Sequence, residues 1–178
     1  MRIPDEWQIK AKNKVDEIFS EVKDYCDIKA PIPIKDIIEL YLGDVQCVVK
    51  STDGLFPEGV SAFSTKDMNF GWIIVVNGRE SPERQRFSAA HELGHIVLLT
   101  NQSKTVYCSR DGVGWDEDLC DRFAGDILMP EAMIREIYKT NPRPYVEDLA
   151  KLFKVSRTVA EIQLKRFGLP FNWRFGRP

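Results

Sequence analysis

Segments that favour β-strands are confined to one short part of this sequence, and that confinement strongly limits the fold. VQCVVK (45–50), VSAFS (60–64) and FGWIIVV (70–76) are rich in β-branched and aromatic residues, and turn-forming residues separate them. On both sides of this part, apolar residues recur at steps of three and four, which is typical of amphipathic helices. The sequence therefore predicts an α+β fold, in which a small antiparallel sheet of three strands packs on helices.

The helical segments have recognisable beginnings and ends. Ser81 and Pro82 are a serine cap and a proline at the first helical position, which mark the start of a helix. We expect helices over residues 5–26, 34–42, 82–99, 116–129 and 131–139, followed by a helix–turn–helix segment over residues 146–169. We divide the chain into a core with N-terminal helices, residues 1–142, and a C-terminal helix-turn-helix-like subdomain with a tail, residues 143–178, packed on that core.

Charge is distributed unevenly along the 178 residues. The net charge is −2. Residues 143–178 hold eight Lys/Arg and three Asp/Glu, a balance of +5 that leaves −7 for residues 1–142. The basic segment is a candidate surface for nucleic acid or an acidic protein, with a solvated helix face as the simpler interpretation.

Cysteine usage and hydropathy exclude several classes of protein. The cysteines form no C-x-x-C pair, which favours reduced thiols over a disulfide framework or a cysteine zinc knot: Cys26, Cys47, Cys108 and Cys120. No apolar run approaches the ~18 residues of a membrane span, and the charged N-terminus lacks a signal-peptide core. We expect a cytoplasmic protein with no membrane segment.

The segment RFSAAHELGHIVLL (86–99) contains both histidines of the chain. On a helix, residues four apart lie on the same face, so His91 and His95 can bind one metal ion. Glu92 is rotated by about 100°, which directs it away from the metal but within reach of a water bound there. This H-E-x-x-H spacing predicts a catalytic zinc site with Glu92 as general base. The alternative is a structural pair of buried histidines.

A catalytic zinc ion takes three protein ligands and keeps one position open for water. The three-histidine pattern fails, because Leu98 and Asn101 stand where it needs glycine and histidine. A carboxylate from a later helix is then the expected third ligand. Glu117 shares a helical stripe with small residues and is our choice, with Asp121 and Asp118 as alternatives. Favourable acidic charge at a helix N-terminus is the structural interpretation of the same cluster.

Two blocks together resemble the ImmA/IrrE-like family of bacterial zinc metallopeptidases. RFSAAHELGHIVLL resembles R-F-x-x-A-H-E-L-G-H-x-L-L, and EDLCDRFAGDILMP is similar to E-x-x-A-x-x-F-A-x-x-L-L-M-P, with Cys120 where alanine is frequent. The preceding strand, WIIVVN, also resembles the family, and the likeness covers roughly residues 30–170. The resemblance implies a zincin-like, gluzincin-type core with these roles: His91, His95 and Glu117 as Zn²⁺ ligands and Glu92 as the catalytic glutamate.

The resemblance also implies a function. We expect a zinc endopeptidase that cleaves a protein substrate, a helix-turn-helix transcriptional repressor, in a mobile element or a stress response. The alternative is a non-catalytic regulator or toxin–antitoxin partner that binds a repressor or DNA. The presence of Glu92 favours the enzyme, because a structural zinc site needs no general base. We expect the substrate to add to the sheet edge at FGWIIVV, and Tyr107 or Arg110 to stabilise the oxyanion.

The segment LAKLFKVSRTVAEIQLKRFGL (149–169) has the spacing of a helix-turn-helix. Arg157, Lys165 and Arg166 are candidate phosphate contacts. At the start of the second helix, however, Arg157 is the only candidate to read a base edge. We therefore favour a helical pair that packs against the core or docks a protein substrate over one that binds DNA.

Overall fold

The computed structural model describes residues 3–43, 45–50, 56–68, 71–99, 106–109 and 114–174, with the backbone alone for 45–50 and 106–109. Helices in this part of the chain are α1 (Asp5–Val22), α2 (Ile34–Leu42), α3 (Pro82–Leu98), α4 (Trp115–Leu128), α5 (Glu131–Thr140), α6 (Val146–Phe153) and α7 (Arg157–Arg166). Strands are β1 (Val45–Lys50), β2 (Val60–Asp67), β3 (Gly71–Asn77) and β4 (Val106–Ser109). The predicted α+β class is confirmed, and the predicted helices are present, with ends shifted by a few residues. No helix among these has the length and apolar character needed to cross a bilayer.

The described strands form a mixed sheet in the order β1-β3-β2-β4. β2 and β3 are an antiparallel pair at its centre, β4 lies antiparallel to β2, and β1 runs parallel to β3 with Val45 opposite Trp72. The prediction of a three-stranded antiparallel sheet was therefore wrong. Residues 51–59 make a connection longer than the two to five residues of a hairpin loop, so β1 and β2 need not pair with each other. β4 was not predicted because four residues are too few to show an alternating pattern.

Helix α3 begins where its capping residues predict. The Ser81 hydroxyl accepts a hydrogen bond from the backbone N–H of Arg84 at 3.3 Å, and Pro82 occupies the first helical position. Its second half is buried on nearly every side, from Ser88 to Ile96, because α3 contacts the sheet, α2 and α4. A helix enclosed in this way holds its polar side chains in fixed positions.

Helices α3 and α4 approach closely at Gly94. A Cβ atom at that position would lie 3.1 Å from Cδ1 of Phe123 and 3.4 Å from Cα of Cys120. Any larger residue would push α4 outward, so the glycine sets the distance between the two helices. Phe123 is fully buried at this contact and belongs to a core that extends from α1 to α7.

Helices α6 and α7 form the predicted C-terminal helical pair. Lys154 has a left-handed backbone (φ 50°), and its N–H donates to the carbonyls of Ala150 and Lys151, which ends α6. Two residues later, the Ser156 hydroxyl accepts from the N–H of Val159 at 3.1 Å and caps α7. The turn between the helices is therefore short and specified by local hydrogen bonds.

Candidate metal centre

Three side chains from α3 and α4 converge at one point. The Nε2 atoms of His91 and His95 lie 3.0 Å apart. Oε2 of Glu117 lies 3.2 Å from Nε2 of His91, and Oε1 lies 3.3 Å from Nε2 of His95. The histidines are one turn apart on α3, and Glu117 reaches them from the first turn of α4. We call His91, His95 and Glu117 the metal cluster.

The metal cluster fits a divalent metal ion. Ligands around a zinc-sized ion at ~2.0–2.1 Å lie about 3.3 Å from one another, which is close to the separations among these donor atoms. Two imidazole nitrogens that face each other need a proton or a cation between them, because their lone pairs otherwise repel. Burial would raise the pKa of Glu117, but hydrogen bonds from His91 and His95 and their positive charge lower it to about 2. The carboxylate is therefore ionised at neutral pH, as a metal ligand must be.

Glu92 lies next to this cluster and is completely buried. Neither of its carboxylate oxygens has a hydrogen-bond partner among the described residues, and the hydroxyl of buried Ser64 is likewise without one. Burial raises the pKa of Glu92, and the nearby Ser64 hydroxyl opposes that rise without forming a well-aligned hydrogen bond. A carboxylate that is shielded from solvent and lies beside a metal site can accept a proton and return it.

Cys120 also borders the cluster, which the sequence analysis did not anticipate. Ligand atoms of His91, His95 and Cys120 all lie within 4.8 Å of one another. The cysteine is fully buried, and burial raises the pKa of its thiol. Glu117 approaches the two imidazoles more closely and is ionised, so it is the better candidate for the third ligand. The sequence spacing could have indicated this proximity, because Cys120 lies about one turn after Glu117 on the same helix.

The other acidic candidates on α4 do not face the convergence point. Oδ1 of Asp121 lies 2.7 Å from Nδ1 of His91, the ring nitrogen that points away from the metal cluster. The side chain of Asp118 is exposed. Of the three acidic residues weighed from sequence, the structure therefore brings only Glu117 to the Nε2 atoms.

Neither predicted oxyanion helper can be placed at the site. Tyr107 belongs to β4, where the backbone alone is described, and Arg110 lies outside the described residues. The expectation that substrate adds to the edge at FGWIIVV was wrong. Residues 71–76 of that segment lie in β3, which pairs with β1 on one side and with β2 on the other. Its backbone hydrogen-bonding groups are already used within the sheet.

The three basic residues of the C-terminal pair that were candidate phosphate contacts are engaged within the chain. Arg166 forms an ion pair with Asp126 of α4, and Lys165 forms one with Glu161. The guanidinium of Arg157 stacks over the ring of Trp173, 4.5 Å from its centroid. These contacts favour a structural role for the three cations over phosphate binding.

Comparison with known proteins adds to this geometry. Residues 54–165, more than half of the chain, match the family model described as the IrrE N-terminal-like domain. The chain belongs to the ImmA/IrrE-like family. The match includes both helices that carry the metal cluster.

Two curated relatives carry metallopeptidase names. The radiation response metalloprotease IrrE of Deinococcus radiodurans is 35% identical over 94 residues, covering 44% of this chain and 29% of that protein. The metallopeptidase ImmA of Bacillus subtilis is 30% identical over 104 residues, covering 54% of this chain and 57% of that protein. The chain thus spans between about a quarter and somewhat more than half of these relatives.

A solved structure shares the fold. It is a Mycobacterium tuberculosis transcriptional regulator, with a TM-score of 0.58 and 13% identity, covering 91% of this chain and 56% of that one. At this identity the likeness concerns the fold alone.

Proposed function

We propose that this chain is a zinc-dependent endopeptidase with a zincin-like core, which hydrolyses a peptide bond in a protein substrate. The observation that carries the proposal is the convergence of His91, His95 and Glu117 beside a buried carboxylate that has no hydrogen-bond partner among the described residues. A purely structural site has no use for Glu92, whose burial as an acid is unfavourable unless it has a task. The names of the two metallopeptidase relatives support the same reaction class.

The metal cluster would hold the zinc ion through Nε2 of His91, Nε2 of His95 and the carboxylate of Glu117. When bound there, zinc acidifies a water molecule and polarises the carbonyl of the scissile bond. With these three ligands from the described residues, one coordination position would be left for water and substrate. This ligand set also matches the histidine–histidine–glutamate set of catalytic zinc sites.

Glu92 would move the protons of the reaction. Its carboxylate accepts a proton from the attacking water and returns it to the nitrogen of the leaving amine. Burial between α3 and the sheet keeps competing water away, and the Ser64 hydroxyl is the described group placed to orient the carboxylate. The identity of the oxyanion-stabilising group stays a prediction, with Tyr107 and Arg110 as its candidates.

The sheet offers a place for an extended substrate at β4. β4 is an edge strand, and its Val106 is opposite Ser64 of β2, the serine beside Glu92. A peptide that paired with the side of β4 away from β2, which no described strand occupies, would run past Glu92, with main-chain hydrogen bonds holding it extended. Since β3 is internal, β4 replaces it as our candidate for the substrate-binding edge.

We propose a helix-turn-helix repressor in the cytoplasm as the substrate, in regulatory proteolysis. The name of the radiation response relative connects a member of this family to a cellular response, which supports a regulatory role. In this proposal, residues 143–178 form a subdomain that packs on the core and docks the substrate. The internal pairing of its basic residues favours a protein partner over DNA.

The test is cleavage of a helix-turn-helix repressor, and any repressor gene that neighbours this one supplies the first candidate substrate. Zinc-loaded protein should produce discrete fragments, chelation should stop the reaction, and added zinc should restore it. Glu92→Gln should retain zinc and lose about 10²–10⁴-fold in rate, because the proton transfer is lost. Glu83→Gln, on the same helix, is the matched control and should cleave normally. A stable uncut complex, or wild-type cleavage by Glu92→Gln, would overturn the proposal.

A further inference from the structure

Asp121 makes a close contact that metal ligation does not explain. Its Oδ1 lies 2.7 Å from Nδ1 of His91, although the aspartate side chain is 59% exposed while the histidine side chain is 2% exposed. Asp121 follows Glu117 by one turn, so both acidic side chains point from α4 toward α3. The two carboxylates therefore contact opposite nitrogens of the same imidazole ring.

We propose that Asp121 is a positioning residue of the metal site: it holds His91 in the orientation and tautomer that directs Nε2 to the metal. The inference rests on the proposed metal site. A carboxylate at Nδ1 accepts a hydrogen bond from the N–H there, which leaves the lone pair on Nε2. It also makes the imidazole a stronger ligand, because the negative charge compensates the charge that metal binding places on the ring.

The two histidines differ in this respect. Among the described residues, His95 has no carboxylate at its Nδ1, and its ion-pair contact is the one between Nε2 and Glu117. Asp121 should therefore act on one of the two imidazoles. The contact also differs from an ion pair between two exposed side chains, because the His91 side chain is buried. A buried imidazole that was turned the wrong way could not move out into solvent.

Metal affinity measured by competition with a chelator tests the inference without any substrate. Asp121→Ala should bind Zn²⁺ about 10–100-fold more weakly, the usual loss when such a partner is removed. Asp121→Asn should stay within a few-fold of the wild type, because its amide oxygen can accept the same hydrogen bond. Asp118→Ala, which removes an equal charge from the same helix, should bind as the wild type does. Equal affinity of Asp121→Ala and the wild type would overturn the inference.

Nitrogen-15 NMR of the histidine rings provides a second readout, which is favourable here because the chain has two histidines. In the zinc-loaded wild type, His91 should show a proton on Nδ1 shifted downfield by its hydrogen bond, with zinc on Nε2. Asp121→Asn should keep that proton signal and Asp121→Ala should lose the shift. Zinc on Nδ1 of His91, or a signal unaffected by Asp121→Ala, would contradict the proposal. A protein that binds zinc in this manner but cleaves nothing would refute the proposed peptidase and leave the positioning role intact.

Discussion

Helix α4 carries two polar clusters that are built on opposite principles. One is the metal cluster, to which α4 contributes Glu117. The other, which we call the structural cluster, joins α4 to α7 and consists of Arg122, Asp126, Gln163 and Arg166. Both clusters are formed between helices and both are largely shielded from water. They differ in the kinds of group that meet.

In the structural cluster, opposite charges meet, although Nε of Arg122 is buried and has no hydrogen-bond partner among the described residues. Asp126 forms an ion pair with Arg166, accepts a hydrogen bond from Gln163 at 3.3 Å and lies 3.9 Å from Nε of Arg122. Burial and the charge of Arg122 lower the pKa of Arg166 to about 10, which leaves it protonated at neutral pH. Such a network helps to hold α7 on α4.

In the metal cluster, by contrast, the two imidazoles that meet are groups of the same kind, and Glu117 contacts both of them. Two imidazole nitrogens face each other at 3.0 Å, and the neighbouring Glu92 is buried without a described partner. Folding brings these groups together at a cost in stability, which an arrangement selected for stability alone would avoid. The contrast teaches that like groups brought together on one face of a helix indicate function, whereas opposite charges brought together on another face indicate stability.

We expect the largest effects on zinc affinity and stability from two substitutions that each remove one carboxylate, one from each cluster. Glu117→Ala removes a metal ligand. Its loss of zinc affinity should therefore exceed the loss of about 10–100-fold that is typical when a residue hydrogen-bonded to a ligand is removed. Asp126→Ala should retain zinc affinity but destabilise the fold by about 2–3 kcal/mol, because Arg166 then lacks its buried partner. Chelator competition and urea unfolding measure the two quantities. Loss of zinc in Asp126→Ala alone would reverse the assignment of the clusters.

A subtler comparison uses the two glycines that line the clusters. Gly94→Ala places a methyl group 3.1 Å from Phe123, which should push α3 and α4 apart, cost about 1–3 kcal/mol and weaken zinc binding. Gly125→Ala places one 2.9 Å from the Gln163 amide and should destabilise the contact with α7 without affecting zinc. Thermal unfolding with and without zinc compares the two variants. If Gly125→Ala weakens zinc binding as much as Gly94→Ala does, the two clusters are not separable.

The smallest effect is expected at the thiol beside the metal cluster. Cys120→Ala should change zinc affinity by no more than a few-fold, because Glu117 supplies the third ligand and burial raises the pKa of the thiol. Zinc titration in the presence of a chelator measures the change, with Cys26→Ala as the control for loss of a thiol elsewhere. A loss of tenfold or more in Cys120→Ala alone would make the cysteine a ligand.

Local sequence information was sufficient for much of this molecule. The helices were predictable because their caps and apolar spacing are local, as at Ser81-Pro82 and at the turn before Ser156. The histidine pair was predictable for the same reason, since four residues make one turn. Glu117 could be ranked above Asp118 and Asp121 from its helical stripe, and the structure brings it to both imidazoles.

Features that depend on the relative placement of distant segments were not predictable. The order of strands places β1 beside β3, which no local pattern in VQCVVK indicates. The contact of Asp121 with Nδ1 of His91 depends on how α4 is rotated against α3. The pairing of Arg166 with Asp126 likewise requires the position of α7, and from sequence Arg166 resembled a phosphate contact.

The most direct test of the metal cluster is X-ray absorption at the zinc edge of protein loaded with one equivalent of Zn²⁺. We predict a first shell of nitrogen and oxygen atoms at ~2.0–2.1 Å, with outer-shell scattering from two imidazole rings and no sulfur. Glu117→Ala should lose that site. A sulfur atom at ~2.3 Å, or scattering from fewer than two imidazoles, would contradict the assignment of His91, His95 and Glu117 as the ligands.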